Sequence, residues 1–128
     1  MTYRLEFTIN QLPPMNSADG TNRWVRRKLR KTWELLVWEK VRLKKPPAPL
    51  RSATVSLVRH SSVEPDYDNL VQGGKFIIDS LVDNGIFVSD KMSVIGKPNH
   101  DWKMAAPRKG RVDVVVESID DGSGSNGI

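Results

Sequence analysis

Cysteine is missing from this 128-residue sequence, which excludes disulfide frameworks, cysteine-ligated zinc and thiol catalysis. The compartment stays open on that count, because a chain without thiols fits cytosolic and oxidising surroundings alike. Histidine is scarce. His60 and His100 are the only two, and with no nucleophile elbow in the sequence a serine-hydrolase arrangement has no support. No uncharged apolar run approaches the roughly 20 residues that a bilayer crossing needs. The opening Met1-Thr2-Tyr3-Arg4-Leu5-Glu6 has no apolar leader core. These absences lead to the expectation of a soluble, intracellular, cytoplasmic protein. Internal repeats and long low-complexity blocks are also lacking.

What is present suits one domain with one core. Lys and Arg number 20 against 15 Asp and Glu, a formal charge of +5 that makes a polyanionic partner plausible. Tyr3, Leu5, Phe7 and Ile9 alternate with polar residues up to Pro13-Pro14, the mark of a half-buried strand. Residues 15–22 are turn formers and supply N-caps for a helix after them. From about Arg23 to Lys44 the spacing predicts that helix, with Val25, Leu29, Trp33, Leu36 and Leu43 facing the sheet. Trp24, Leu35 and Trp38 fall on a different face, to be covered by a second subunit or by a loop of the same core. Ten Lys and Arg between Arg23 and Lys45 ring this helix; solvation accounts for most, and a subset is expected to contact phosphate.

Pro46-Pro47-Ala48-Pro49 stops the helix and makes a stiff connection. Ala53, Val55 and Leu57 mark a second strand running through His60. A short helix is expected from Lys75 over Phe76, Ile77, Ile78, Leu81 and Val82, closed by Asn84-Gly85. The apolar triplet Ile86-Phe87-Val88 then delivers Asp90. Met92 to Ile95 suggests a strand interrupted near Gly96, residues 105–110 a hairpin loop, and Val112, Val114 and Val116 the last strand. The order is β-α-β-α-β-β: a single small α+β domain over residues 1–119, with a mixed sheet and two helices mainly on one face, and a flexible tail at 120–128.

The chemistry concentrates in Glu64-Pro65-Asp66-Tyr67-Asp68-Asn69-Leu70, followed by a glycine turn at Gly73-Gly74 and by Lys75. In extended backbone the two aspartates would point to one side at roughly 6–7 Å and call for a hard divalent cation. The competing reading is an Asx-type turn that caps the next helix. An EF-hand loop fails, since Val71 stands where glycine and Ile77 where a bidentate glutamate would be needed. A nucleotide P-loop fails too, for want of Ser or Thr after Lys75.

Taken together, Asp66, Asp68, Asn69, Leu70, Lys75, a helix ending at Gly85, an apolar triplet and Asp90 resemble the RusA family of Holliday junction resolvases. These are small dimeric Mg²⁺-dependent endonucleases of phages, prophages and some bacteria. The resemblance is densest over residues 64–91 and weaker at Leu12-Pro13-Pro14-x-Asn16. The spacing from Asp68 to Lys75 is longer than in the best-known member. Where that member is arginine-rich before the first aspartate, this chain has Val63-Glu64-Pro65.

The resemblance implies that Asp66, Asp68 and Asp90 hold Mg²⁺, with Mn²⁺ as a substitute, and that Lys75 offsets charge on a scissile phosphate. Asn69 would orient a carboxylate; Asp79 would pair with Lys75 or lie on the surface, and Asp83 and Asp101 are weaker metal candidates. It further implies a homodimer acting on four-way junctions or other branched DNA in recombination and repair, in a bacterial or phage-infected cell. The alternatives are a DNA-binding accessory protein of the same fold without turnover, and a scaffold with no nucleic-acid partner.

Overall fold

Period-two alternation builds the sheet. The computed structural model describes residues 2–10 and 23–119. Its elements are β1 (Arg4–Ile9), α1 (Arg23–Val41), β2 (Ala53–Ser61), α2 (Tyr67–Asp83), α3 (Met92–Ile95), β3 (Asn99–Met104) and β4 (Arg111–Ser118). The strands form one mixed sheet in the order β1-β4-β2-β3. β4 runs antiparallel to both β1 and β2, and β2 runs parallel to β3. Leu5, Phe7 and Ile9 from β1, Ala53, Val55 and Leu57 from β2, and Val112, Val114 and Val116 from β4 are all buried. Each such aliphatic side chain contributes roughly 1.5–3 kcal/mol of transfer free energy.

The helices cover that apolar face. Leu29, Trp33, Val37 and Val41 of α1 are buried at a strict spacing of four, and Trp33 stacks on Phe76 of α2 with ring centroids 6.4 Å apart. From α2, Leu70, Ile77, Ile78 and Leu81 join the core, so the opposite edge carries Asp68, Lys75 and Asp79 outward. On the other face of the sheet, His60 Nε2 lies 2.9 Å from one Asp113 oxygen, and Thr8 Oγ1 donates to the other at 2.8 Å. Burial works to raise the Asp113 carboxyl's pKa. The bonds from Thr8 and His60 and the charges of His60 and Arg111 outweigh it and hold the group below its usual range. Among the described residues no helix is long and apolar enough to cross a membrane.

Several expectations need correction. The inward face of α1 holds Leu29, Trp33 and the partly buried Leu36 as expected, but not its two ends: Val25 and Leu43 are 47% and 81% exposed, while Val37 and Val41 are fully buried in their place. Helix α2 starts at Tyr67 and runs straight through Gly73-Gly74, in place of a turn before Lys75. The glycines serve packing: a Cβ at Gly74 would stand 2.6–2.7 Å from the His100 ring and 2.9 Å from Leu57 Cδ1. Met92 to Ile95 is a single helical turn rather than a strand, closed by Gly96 at φ 60°, a run too short for periodicity to classify. Residues 105–110 make no hairpin, because β3 and β4 are not neighbours. The all-valine inner row of β4 takes a central position, and the polar β3 (Asn99–Met104) takes the edge, where few side chains need burial. The capping residues expected at 15–22, the Leu12–Asn16 element and the 120–128 tail lie outside the described residues.

Gly74→Ala tests the close approach of α2 to the sheet. Better helix propensity contributes about 1 kcal/mol, and overpacking against a 3%-exposed Leu57 costs about 1–3 kcal/mol. Urea unfolding should therefore find the variant less stable by up to about 2 kcal/mol; a more stable variant would mean that the contact is loose.

Candidate functional site

The acidic motif begins a helix. Asp66 has extended backbone (φ −73°, ψ 164°) and is the N-cap of α2. Its carboxylate accepts the Asn69 backbone N–H at 2.9 Å and the Asn69 Nδ2 at 3.4 Å. Asp68 already lies in the first helical turn. The pair therefore does not stand on one side of an extended segment; the helix-capping alternative describes the local geometry. Its physical basis is plain: the cap satisfies an otherwise unpaired terminal N–H, and both negative charges sit at the positive end of the helix dipole. Asn69 touches the Asp66 carboxylate, as a carboxylate-orienting residue would.

Two turns on, the same edge of α2 presents Lys75 and, four residues later, Asp79. Lys75 Nζ lies 3.2 Å from Asp79 Oδ1 and 3.1 Å from Asp90 Oδ2. Asp90 arrives there because α2 stops sharply. Asn84 caps the helix, Gly85 adopts φ 79°, and the Gly85 and Ile86 N–H groups donate back to the Val82 and Leu81 carbonyls at 2.9 Å. This is a Schellman closure. Ile86 and Phe87 are then buried, and Leu50 exchanges backbone bonds with Ile86 and Val88 at 2.9 Å, which fixes the segment leading to Asp90.

The charges act on one another. Partial burial works to lower the Lys75 ammonium's pKa, and the Asp90 and Asp79 carboxylates more than offset it, leaving the ammonium raised. Asp90 is held below its usual range by the Lys75 hydrogen bond and charge, with a smaller contribution from Arg30. An exposed pair of this kind is worth only about 0–1 kcal/mol to the fold. Its main consequence is local, a fixed ammonium between two carboxylates.

Not every expected residue is gathered. Asp90 and Asp79 both meet Lys75, and Asp66 meets Asn69, but Asp68 lies about 10 Å along the helix axis from Lys75. Among the described residues no three His, Cys, Asp or Glu groups are placed to hold a metal ion. The donor chemistry still suits Mg²⁺, which takes carboxylate oxygens and often shares one or two of them with waters and a substrate phosphate. Among the described residues the carboxylates form no closed three-carboxylate cage.

Compared with protein-family models and with curated proteins, the sequence finds no match.

One neighbouring pair has no signal in the sequence. Arg30 of α1 bonds Asp83 of α2 through Nε at 3.3 Å and Nη2 at 3.1 Å. A separation of 53 residues leaves no local trace, and Asp83, a weak metal candidate by type, is occupied by this guanidinium. Asp101 sits on edge strand β3, where its carboxylate accepts the Trp102 N–H at 2.8 Å.

Replacing Lys75 by Met should raise the Asp90 carboxyl's pKa toward the ordinary aspartate value, read from side-chain carboxyl shifts in an NMR titration. An unmoved Asp90 would mean that the ion pair does not persist in solution.

Proposed function

We propose that this protein is a Mg²⁺-dependent, structure-selective endodeoxyribonuclease that hydrolyses phosphodiester bonds in four-way junctions or other branched DNA. The observation that carries the reading is the meeting of Lys75 with Asp90 at 3.1 Å across 15 residues of chain, on the helix edge that also bears Asp68. The pattern over residues 64–91 resembles the RusA family, and the formal charge of +5 suits a polyanionic substrate.

In this reading Asp68 and Asp90, with Asp66 at the helix cap, would hold the ion. Mg²⁺, when bound, supplies an acidified water and stabilises the leaving oxygen. Lys75 places a positive point charge beside the scissile phosphate, where charge grows in the transition state. Asp79 keeps the Lys75 ammonium in place from the next turn of the helix, the structural role that its spacing suggests. Asn69 fixes the orientation of Asp66 through two hydrogen bonds. Paired cuts need two such sites, which a two-fold dimer would supply. Trp24, Leu35 and Trp38, at 76%, 63% and 46% exposed, form the apolar strip for that contact, with Arg42 lying 5.6 Å over the Trp38 ring.

A second reading is favoured by one specific observation: Asp66, Asp68 and Asp90 do not form a single ligand group. A DNA-binding accessory protein of the same fold would need no such group.

Asp90→Asn separates the two. With a synthetic four-way junction and Mg²⁺, the parent chain should produce paired nicks near the crossover. The variant should retain binding and lose cleavage by more than about 100-fold, since even outer-sphere changes cost about 10–100-fold. A parent chain that binds the junction without Mg²⁺-dependent nicks supports the accessory reading instead.

A further inference from the structure

The N-terminal half of α1 is charged against its own dipole. Arg23, Arg26, Arg27, Lys28, Arg30 and Lys31 precede the first acid, Glu34, and the first turn contains no acidic residue. Each cation near a helix N-terminus costs about 0.3–1 kcal/mol where an anion would gain as much. Among the described residues Arg30 pairs with Asp83 and Lys31 lies 3.8 Å from Glu34, while Arg23, Arg26 and Arg27 have no acidic partner. At 100° per residue, Arg23, Arg26, Arg27 and Arg30 fall within an arc of about 100°, so four of the ring of cations share one face.

Arg30 determines where that face leads. Its guanidinium engages Asp83 through Nε and Nη2, and Nη1 makes no hydrogen bond among the described residues. Asp83 stands two helical steps of four from Lys75, with Asp79 between them, so the edge of α2 reads Lys75, Asp79, Asp83 at rises of about 6 Å. Lys75 and Arg30 therefore bind neighbouring carboxylates on one helix edge. The roughly 12 Å between the levels of Lys75 and Asp83 lets two phosphates of one DNA strand be contacted at once.

We infer that Arg30, held by Asp83, is a second phosphate contact of the site, and that Arg23, Arg26 and Arg27 continue it as a track for the DNA backbone away from Lys75. The inference rests on the nucleic-acid reading above and names the surface through which that partner is held. Arg30 is a binding residue here, and Asp83 positions it. The arginines supply phosphate affinity without reading sequence.

The test is binding of a fluorescein-labelled four-way junction to the full chain in EDTA, by anisotropy across a salt series, so that cleavage plays no part. Each lost phosphate contact flattens the slope of log K against log salt by about 0.9. Arg30→Ala should flatten it by about one contact, and the triple substitution R23A/R26A/R27A by about two to three. Arg30→Lys should retain the slope. Asp83→Asn, which frees the guanidinium without removing it, should weaken binding and leave the slope unchanged, an effect that a merely structural loss, checked by thermal melting, would not give. A charge-matched control, K44A/K45A/R51A, removes three cations beyond the C-terminal end of α1 and should keep the parent slope. If both triples weaken binding equally, net charge alone is at work and the track is overturned. If the parent binds and the α1 variants bind as well as it does, the track is overturned and the nuclease reading stands. A parent chain that does not bind the junction overturns both.

Discussion

The seating of α2 on the sheet at Gly74 is the constraint on which the rest depends. With no side chain there, the helix comes close enough for the His100 ring and Leu57 to fill the space a Cβ would take. That approach buries Ile77, Ile78 and Leu81, and by helical geometry it turns the opposite edge, with Asp68, Lys75 and Asp79, to solvent. The same helix ends in a Schellman closure whose following segment is buried at Ile86 and Phe87. One packing contact and one helix stop thus bring Asp90 to Lys75. The ion pair itself adds little to stability, since both partners are substantially exposed. It is a consequence of the fold and not its cause.

Two roles meet in the acidic motif. Asp66 caps α2 and Asp68 sits in its first turn, which is sufficient to explain both aspartates by local stability. That account does not reach Asp90, which caps nothing and is placed by a different stretch of chain. Asp68, Lys75 and Asp79 share one helix edge that continues to Asp83; on it Lys75 is held by Asp79 and Asp90, and Arg30 by Asp83. On the proposed function, an incoming phosphate would compete for Lys75 and Arg30, and an incoming cation for the carboxylates.

Much of the architecture is legible in the sequence because it rests on patterns that act locally. The alternation of Leu5, Phe7 and Ile9 and of Val112, Val114 and Val116 marks strands whose inner rows are buried, and Asn84-Gly85 marks a helix stop that forms as expected. The α+β class with a mixed sheet comes from the same signals. The illegible parts depend on partners distant in sequence. Gly73-Gly74 reads as a turn until Leu57 and His100 are placed beneath it. The inward face of α1 is set by the sheet it meets, which selects Val37 and Val41 over Val25 and Leu43. Strand order is decided by competition for the central position, which the more apolar β4 takes from β3. At the site, the pairing of Lys75 with Asp79 comes from helical spacing; its pairing with Asp90 is not legible, because the motif order groups Asp90 with Asp66 and Asp68 instead. The Arg30–Asp83 bond has no sequence signature at all.

The central claim is that the outward edge of α2, together with residue 90, is where a divalent cation and a phosphate backbone meet. The most direct measurement is Mn²⁺ titration of the ¹⁵N-labelled chain with duplex DNA present, followed by paramagnetic broadening of backbone amides. Early, selective broadening at residues 66–69 and 89–91 is the predicted result. Broadening centred elsewhere, or spread evenly over the surface, would contradict it.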